Sequence, residues 1–433
     1  MITLIYWFRH DLRLSDNAAF LSACSRADRL IPVFCHDPDV SIKTIWGFER
    51  MGAHRQQFLA ANLDDLHTHL QSYGSALLEL TGEPRQVLLD LAREYDAAAV
   101  FCEAIAAPEE EAALHALRHQ GVQVIASWQS SLLDPDDLPF AEQELPDVFT
   151  QFRTVIEAAG IKPPRPLGAP ESVPPLPEQM DFLAEHRRSR SVTVCAGHIE
   201  DDRSSFPYSK AEFSGGAGAA NAHLQQYLAR KLPHTYKLTR NGLTGTDYST
   251  KFSPWLASGA LSARSIHAAL KTFEREYGAN DGSYWIWFEL LWRDYFRFLH
   301  LKYGQRLYAA RGLSDLPVPP HDDEAFILWC KGETGEELVD AGMRELAMTG
   351  YLSNRLRQVV ASYLIHDLAC DWRAGAAWFE SQLIDYDVYS NQGNWLYISG
   401  RGTDPRNGRR FNLQKQTRDH DADGSYRRRW LSL

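Results

Sequence analysis

Residues 2–35 read ITLIYWFRHDLRLSDNAAFLSACSRADRLIPVFC. An apolar run, Ile2–Phe8, is followed by a stretch of helical spacing, Asn17–Ser25, and then by a second apolar run, Leu30–Cys35. Two short apolar runs separated by a helix predict neighbouring parallel strands, since parallel strands need a crossover of about that length. The alternation continues. Ala76–Leu80, Ala97–Cys102 and Val122–Ile125 read as strands, with helical spacing over Met51–Gln71, Pro84–Tyr95 and Pro108–His119. Residues 1–130 are therefore expected to form an α/β unit around a doubly wound, parallel, five-stranded sheet. Such sheets bind ligands at the carboxyl ends of their strands. No G-x-G-x-x-G follows the first strand, so a standard dinucleotide site is not expected there.

Downstream the pattern changes twice. Ten of the 21 prolines fall between Asp134 and Glu178, which predicts an extended interdomain linker over 131–200. Beyond it, 201–433 shows long helical patterns and no strands, predicting a large all-helical domain. Hydrophobic residues are 44% and charged residues 23% of the 433, ordinary for a globular chain and incompatible with wholesale disorder. No run approaches the ~18 apolar residues of a membrane span. Arg9, Asp11 and Arg13 interrupt the start where a signal peptide would stay apolar. A cytoplasmic protein is expected. The six cysteines are scattered without a C-x-x-C pair, arguing against a zinc ribbon or disulfide scaffold; no metal site is expected. Of the net charge of −11, residues 1–200 carry 16 Lys/Arg against 29 Asp/Glu, and 201–433 carry 29 against 27. A polyanion-binding surface therefore belongs to the second half.

Five stretches there could carry chemistry. In GLTGTDYSTKFSPWLASGALSAR (242–264), Ser253-Pro254 reads as an N-cap followed by proline at the first helical position, with Ser249, Thr250 and Lys251 as extra donors to an anion. The helix Tyr284–Tyr303 has nine aromatics in twenty residues and should be buried. On it Glu289, Trp292 and Arg293 share one face. They form a buried ion pair or offer a carboxylate and an indole to a cavity. A second helix, Tyr351–Trp372, places Asn354, Arg357 and Gln358 on one face; a ligand or a neighbouring loop would satisfy them. Asp385–Gly402 reads as an irregular polar–aromatic pocket wall containing Asn391 and Trp395. The tail from Arg401 has nine Lys/Arg against four acids, with Phe411, Tyr426 and Trp430 among them. That composition suits nucleic acid or a solvated surface.

The stretches WFRHDLRLSDN, LPDVFTQFR, TRNGLTGTDYSTKFSPW, WFELLWRDYFRF, GMRELAMTGYLSNRLRQVVASYLIHDL and GRGTDPRNGRRFN together resemble the photolyase/cryptochrome family, and its DASH branch in particular. The resemblance runs over nearly the whole chain in one order. It implies a Rossmann-like antenna domain, a connector and a helical domain holding a U-shaped FAD. By that resemblance Tyr236 and the loop Ser249, Thr250, Lys251, Phe252, Ser253 hold the ribityl and phosphate groups, and Arg293 joins the cofactor-binding set. Arg357 and Asp385 form a salt bridge beside the isoalloxazine, Asp387 contacts the flavin, and Asn391 faces its redox-active nitrogen. Asparagine there favours a reduced, anionic flavin as the working state.

The implied activity is light-driven repair. The excited reduced flavin gives an electron to a cyclobutane pyrimidine dimer, the ring splits and the electron returns. Glu289 would bind the dimer's carbonyl/amide edge, Trp292 would stack on it, and Asn354 and Gln358 would contact dimer or flavin. Gln358 and Tyr397 stand where duplex-acting relatives commonly carry Met and Trp. Because a dimer leaves a single strand more cheaply than a duplex, single-stranded DNA is the expected partner, with RNA a second polynucleotide to consider, and the protein is expected to act as a monomer. Trp395 and Trp372 match two members of the family's electron-transfer chain. The surface member falls where this chain has Pro319, Pro320 and His321, which predicts a truncated or rerouted chain. Glu109 matches an acid that binds 5,10-methenyltetrahydrofolate, although Gly47–Gly52 (GFERMG) departs from the usual GFPKTG. The competing reading is a blue-light photoreceptor or nucleic-acid-binding regulator without repair. Glu289, Asn391 and the short ending at Leu433 favour repair.

Overall fold

The computed structural model describes residues 1–178, 180, 200–406 and 408–432. Five parallel strands, β1 (Thr3–Phe8), β2 (Arg29–His36), β3 (Leu78–Thr81), β4 (Ala99–Glu103) and β5 (Val124–Ser127), lie in the order β3-β2-β1-β4-β5. Central β1 pairs Trp7 with Val33 of β2 and Cys102 of β4. Leu4, Tyr6 and Phe8 pack on the side of the helices Ala18–Arg26 and Ala53–Ser72. Ile5 and Trp7 pack on the side of Pro84–Glu94 and Pro108–His119. With both faces covered, the strands are apolar on both, as a buried parallel sheet requires.

The segment after β1 is a buried polar knot. Asp11 accepts from Tyr6 Oη (2.5 Å), Arg9 N (2.9 Å) and Gln129 Nε2 (3.0 Å). It also docks the two halves of the chain: Leu12 N donates to Ser258 O (3.1 Å), Arg13 to Gly259 O (2.8 Å), and Arg264 pairs with Asp16 (3.1 Å). A side chain at Gly259 would place its Cβ 2.0 Å from His10 O, so the close approach itself requires glycine.

The connector is not extended throughout. LPDVFTQFR enters the helix Phe149–Ala159, which buries Phe149, Phe152 and Ile156 against the helical half. Beyond it the chain runs along the sheet, with Leu30 N bonded to Pro175 O (3.2 Å). Residues 181–199 of the expected linker, with Cys195, lie outside the described residues.

Three further expectations need correction. Tyr351–Trp372 is two elements: the helix Asn354–His366, capped by Ser353, and the start of Trp372–Gln382, capped by Asp371. Ala369 between them has φ +50°, a left-handed residue that interrupts helical backbone. Asp385–Gly402 is not irregular either. Asp387 Oδ1 accepts from Ser390 N (2.8 Å) and starts the helix Val388–Ser399, which Gly400 ends at φ +70°. Its polar residues line a cavity within the protein, so the apolar stripe of a surface helix is missing from the sequence. In the tail, Tyr426 and Trp430 are 2% and 1% exposed and belong to the helical core. They form no basic–aromatic surface with Phe411. Among the described residues no helix is long and apolar enough to cross a membrane.

Candidate functional site

A cavity opens between the helices Asn354–His366, Trp372–Gln382 and Val388–Ser399. The i, i+3, i+4 spacing brings Asn354, Arg357 and Gln358 to one wall. Asp385, Asp387, Asn391 and Trp395 line the other, together with Asn394 and Ile398. Arg357 Nη2 donates to Asp385 Oδ2 (2.9 Å) and its Nε to Leu352 O (2.8 Å). The Asp385 side chain is 2% exposed, and its Oδ1 is buried without a partner. An unpartnered carboxylate oxygen at a cavity wall is a place for a ligand donor. Asn391 donates one Nδ2 hydrogen to Ala376 O (3.0 Å), which leaves Oδ1 free to accept from a ligand.

Asp387 lines the cavity, but its carboxylate is already engaged by Ser390 N and by Arg297 Nη2 (2.5 Å). Burial alone would raise this carboxyl; Arg297 and Arg293 outweigh it and hold it well below the usual range. Arg293 itself is not among the cavity residues. Its terminal nitrogens donate to Ser130 O (2.5 Å) and Leu256 O (3.1 Å), so it ties the end of the α/β unit to the helix Ser253–Ser258.

The hydroxyl-rich loop divides by side. Ser249 and Thr250 are half-buried and Ser253 is exposed, whereas Lys251 and Phe252 are buried. Lys251 has φ +59°, which turns its side chain inward until Nζ lies 3.4 Å from the Tyr248 ring centroid. Burial pushes the ammonium well below the ordinary lysine range, against the pull of Glu345. Among the described residues its Nζ is buried without a hydrogen-bond partner, like Asp385 Oδ1. Ser253 is the first residue of its helix; Phe252 holds the cap position, so proline sits one step further in. Tyr236 is buried beside Glu289 and Arg240, whose charges act on its hydroxyl.

A second group lies on the helix Asp281–Tyr303. Glu289 forms a salt bridge with Arg240; burial raises its carboxyl while Arg240 opposes the shift. Trp292 stacks on Phe149 at 3.7 Å and 14° and meets Tyr397 edge-on at 5.5 Å. Tyr397 Oη accepts from Arg409, which also pairs with Asp404 (2.9 Å). Trp395 is buried against Phe379 (5.1 Å) and Trp329 (6.4 Å), and Trp372 donates from Nε1 to Ala310 O (3.1 Å). Glu109, 74% exposed, pairs with Arg50 (2.9 Å), which reaches across to Glu380 of the helical half (3.0 Å).

Sequence reasoning missed Arg240, Arg297 and Phe149. Arg297 had a signal, since Glu289, Arg293 and Arg297 recur every four residues on one helix. Arg240 and Phe149 had none, because their partners lie on distant segments.

Comparison with known proteins identifies the architecture. Residues 4–171 match the DNA photolyase family and residues 285–433 the FAD binding domain of DNA photolyase. Cryptochrome DASH of Gloeobacter violaceus is 44% identical over 443 residues, covering 99% of this chain and 85% of that protein. Cryptochrome DASH of Xenopus laevis is 43% identical, with 99% and 82% covered. Among solved structures, a cryptochrome of Synechocystis sp. superposes with TM-score 0.90 at 40% identity, over 100% of this chain and 89% of that one. A bacterial class III photolyase from Agrobacterium tumefaciens gives 0.78 at 26% identity, over 100% and 87%.

Proposed function

The chain belongs to the DASH cryptochromes of the photolyase family, and from that premise we propose that it is a blue-light-driven lyase that splits cyclobutane pyrimidine dimers, preferentially in single-stranded DNA. FAD, when bound, would supply the electron that opens the dimer's cyclobutane ring under light and take it back afterwards. The observation that carries the reading is Asn391. With one Nδ2 hydrogen bonded to Ala376 O, the amide is anchored with its Oδ1 free to accept from a ligand, and the side chain brings no titratable proton, which suits a reduced flavin ring.

The other residues then take separable roles. Arg357 and Asp385 hold the polar edge of the flavin, Asp385 Oδ1 accepting from it. Ser249, Thr250 and Ser253 offer their hydroxyls to its phosphates. Glu289 binds the dimer's carbonyl/amide edge on leaving Arg240, which is then free for a neighbouring phosphate. Trp292, backed by Phe149, and Tyr397 wall the flipped bases. Gln358 and the tyrosine give less apolar wall than a Met and a Trp would. Capture therefore suffices where the base is already unstacked and falls short where a duplex must be opened. Phosphate contacts make binding weaken with salt. We also assign 5,10-methenyltetrahydrofolate to the seam at Glu109 and Arg50; a near-ultraviolet absorption band beyond that of the flavin is its test.

Chemically reduced protein is illuminated with blue light on one dimer-containing oligonucleotide, as a single strand and as a duplex. Repair of the single strand that is lost in Glu289→Ala is expected. Equal repair of both substrates overturns the strand preference. No repair by flavin-loaded reduced protein replaces the lyase reading with that of a photoreceptor.

A further inference from the structure

Trp395 borders the cavity and is buried, so a one-electron hole formed on its indole cannot be neutralised by water there. The rings around it lead outward. Trp329 meets Trp395 edge-on at 6.4 Å, Phe326 stacks on Trp329 at 6.0 Å, and Trp46 lies 6.4 Å from Phe326. A second line starts from Trp372. Asp371, next to it, donates its backbone N–H to His321 Nδ1 (3.3 Å), and the His321 ring lies 4.8 Å from Trp46. Both lines converge on Trp46, at the place where Pro319, Pro320 and His321 supply no readily oxidised side chain.

Trp46 belongs to the other domain, and the chain builds a support for it. Lys43 and Glu49 form an isolated antiparallel bridge, Thr44 N donates to Phe48 O (2.7 Å), and Gly47 turns the loop at φ +92°. Trp46 and Phe48 both pack on the helical core. The neighbouring Ile45 is 89% exposed, so the loop reaches solvent while its indole stays half-buried. The tryptophans further in differ in one decisive respect. Trp329 is fully buried with Nε1 bonded to Val360 O (3.0 Å), and Trp372, 1% exposed, has Nε1 bonded to Ala310 O. An oxidised indole is a strong acid at its N–H. It is trapped when that proton can leave, and a ring sealed against a carbonyl has nowhere to send it. Trp46 alone of these four reaches water.

Resting on the reading of the cavity as a flavin site, we propose that Trp46 is the terminal electron donor to it, supplied by the N-terminal domain in place of a donor at 319–321. One electron leaves Trp395 for the light-excited oxidised flavin, which is reduced by that electron. Trp329 refills Trp395, and Trp46 refills Trp329. The Trp46 radical cation loses its indole proton to water, and a thiol in solution returns one electron and one proton to it. Phe326 is not oxidised; it fills the gap between Trp329 and Trp46, and tunnelling through packed rings is faster than through a void.

The test compares wild type with Trp46→Phe, which keeps a ring against His321 and Phe326. Flavin content is first read from visible absorbance, which separates a failure of the cavity reading from a failure of the route. Transient absorption after a blue flash should show a tryptophan radical in wild type that lasts until the thiol, dithiothreitol, reduces it. In W46F the radical should decay by charge return, and net photoreduction should be lost. After long illumination in air without thiol, peptide mass spectrometry should place oxidised tryptophan at residue 46. Photoreduction and radical lifetime in W46F equal to wild type overturn the route, as does an oxidation mark confined to other tryptophans.

Discussion

Replacing Arg357 by methionine removes the one cation bonded to Asp385 among the described residues. That carboxylate is 2% exposed, Oδ2 accepts from Arg357, and Oδ1 has no partner among the described residues. Stranding a buried charge of this kind costs about 3–5 kcal/mol, and the lost bond to Leu352 O adds about 1 kcal/mol. The double variant Arg357→Met/Asp385→Asn keeps the smaller loss and removes the stranded charge. It should therefore be more stable than the single variant by about 3 kcal/mol, a gap in melting temperature of roughly 6–12 °C for a domain of this size. Scanning calorimetry of both variants and of Asp385→Asn, with flavin occupancy read from visible absorbance before each scan, closes the cycle. A double variant as unstable as Arg357→Met would refute the reasoning, because the loss would then come from the arginine's packing and not from the charge it neutralises.

Acid should weaken the fold through His300, a 1% exposed ring that burial lowers from 6.5 to about 4. The unfolded chain takes up that proton first, so the contribution of His300 is level above pH 6.5 and falls by at most about 3 kcal/mol toward pH 4; His300→Gln should make the acid limb shallower in denaturant titrations, while His10 and His267, lowered by burial to about 4 as well, keep the remainder. Asp294 accepts from Leu132 N (2.9 Å) and Leu133 N (2.8 Å), and Asp294→Ala should cost about 2–5 kcal/mol by orphaning both, with faster hydrogen exchange confined to the connector as its local mark. At Gly375 an added Cβ would lie 2.2 Å from Trp395 Cη2; Gly375→Ala should lose about 1–3 kcal/mol to overpacking and shift the absorption of the bound flavin, which an unchanged spectrum would contradict. Gln358→Met/Tyr397→Trp should raise duplex repair relative to single-strand repair in the oligonucleotide assay, and an unchanged ratio would exclude those two walls as the determinant.

The sequence by itself determined the strands, the doubly wound order of helices around them, the helix that carries Glu289 and Trp292, and the face shared by Asn354, Arg357 and Gln358. Those features are written in local periods of two and 3.6 residues, which any short window displays. Tertiary structure alone decided the rest. Asp385–Gly402 hid its helix because a helix lining a polar cavity inside a protein has no apolar stripe. Tyr426 and Trp430 looked like a nucleic-acid surface until packing buried them. The inward turn of Lys251 rests on a left-handed backbone that no local period displays. The pairings Arg240 with Glu289, Phe149 with Trp292 and Trp46 with His321 join segments far apart in the chain. Charge neutralisation and ring packing are satisfied by whichever group the fold brings within a few ångströms, and sequence periodicity carries no record of which one that is.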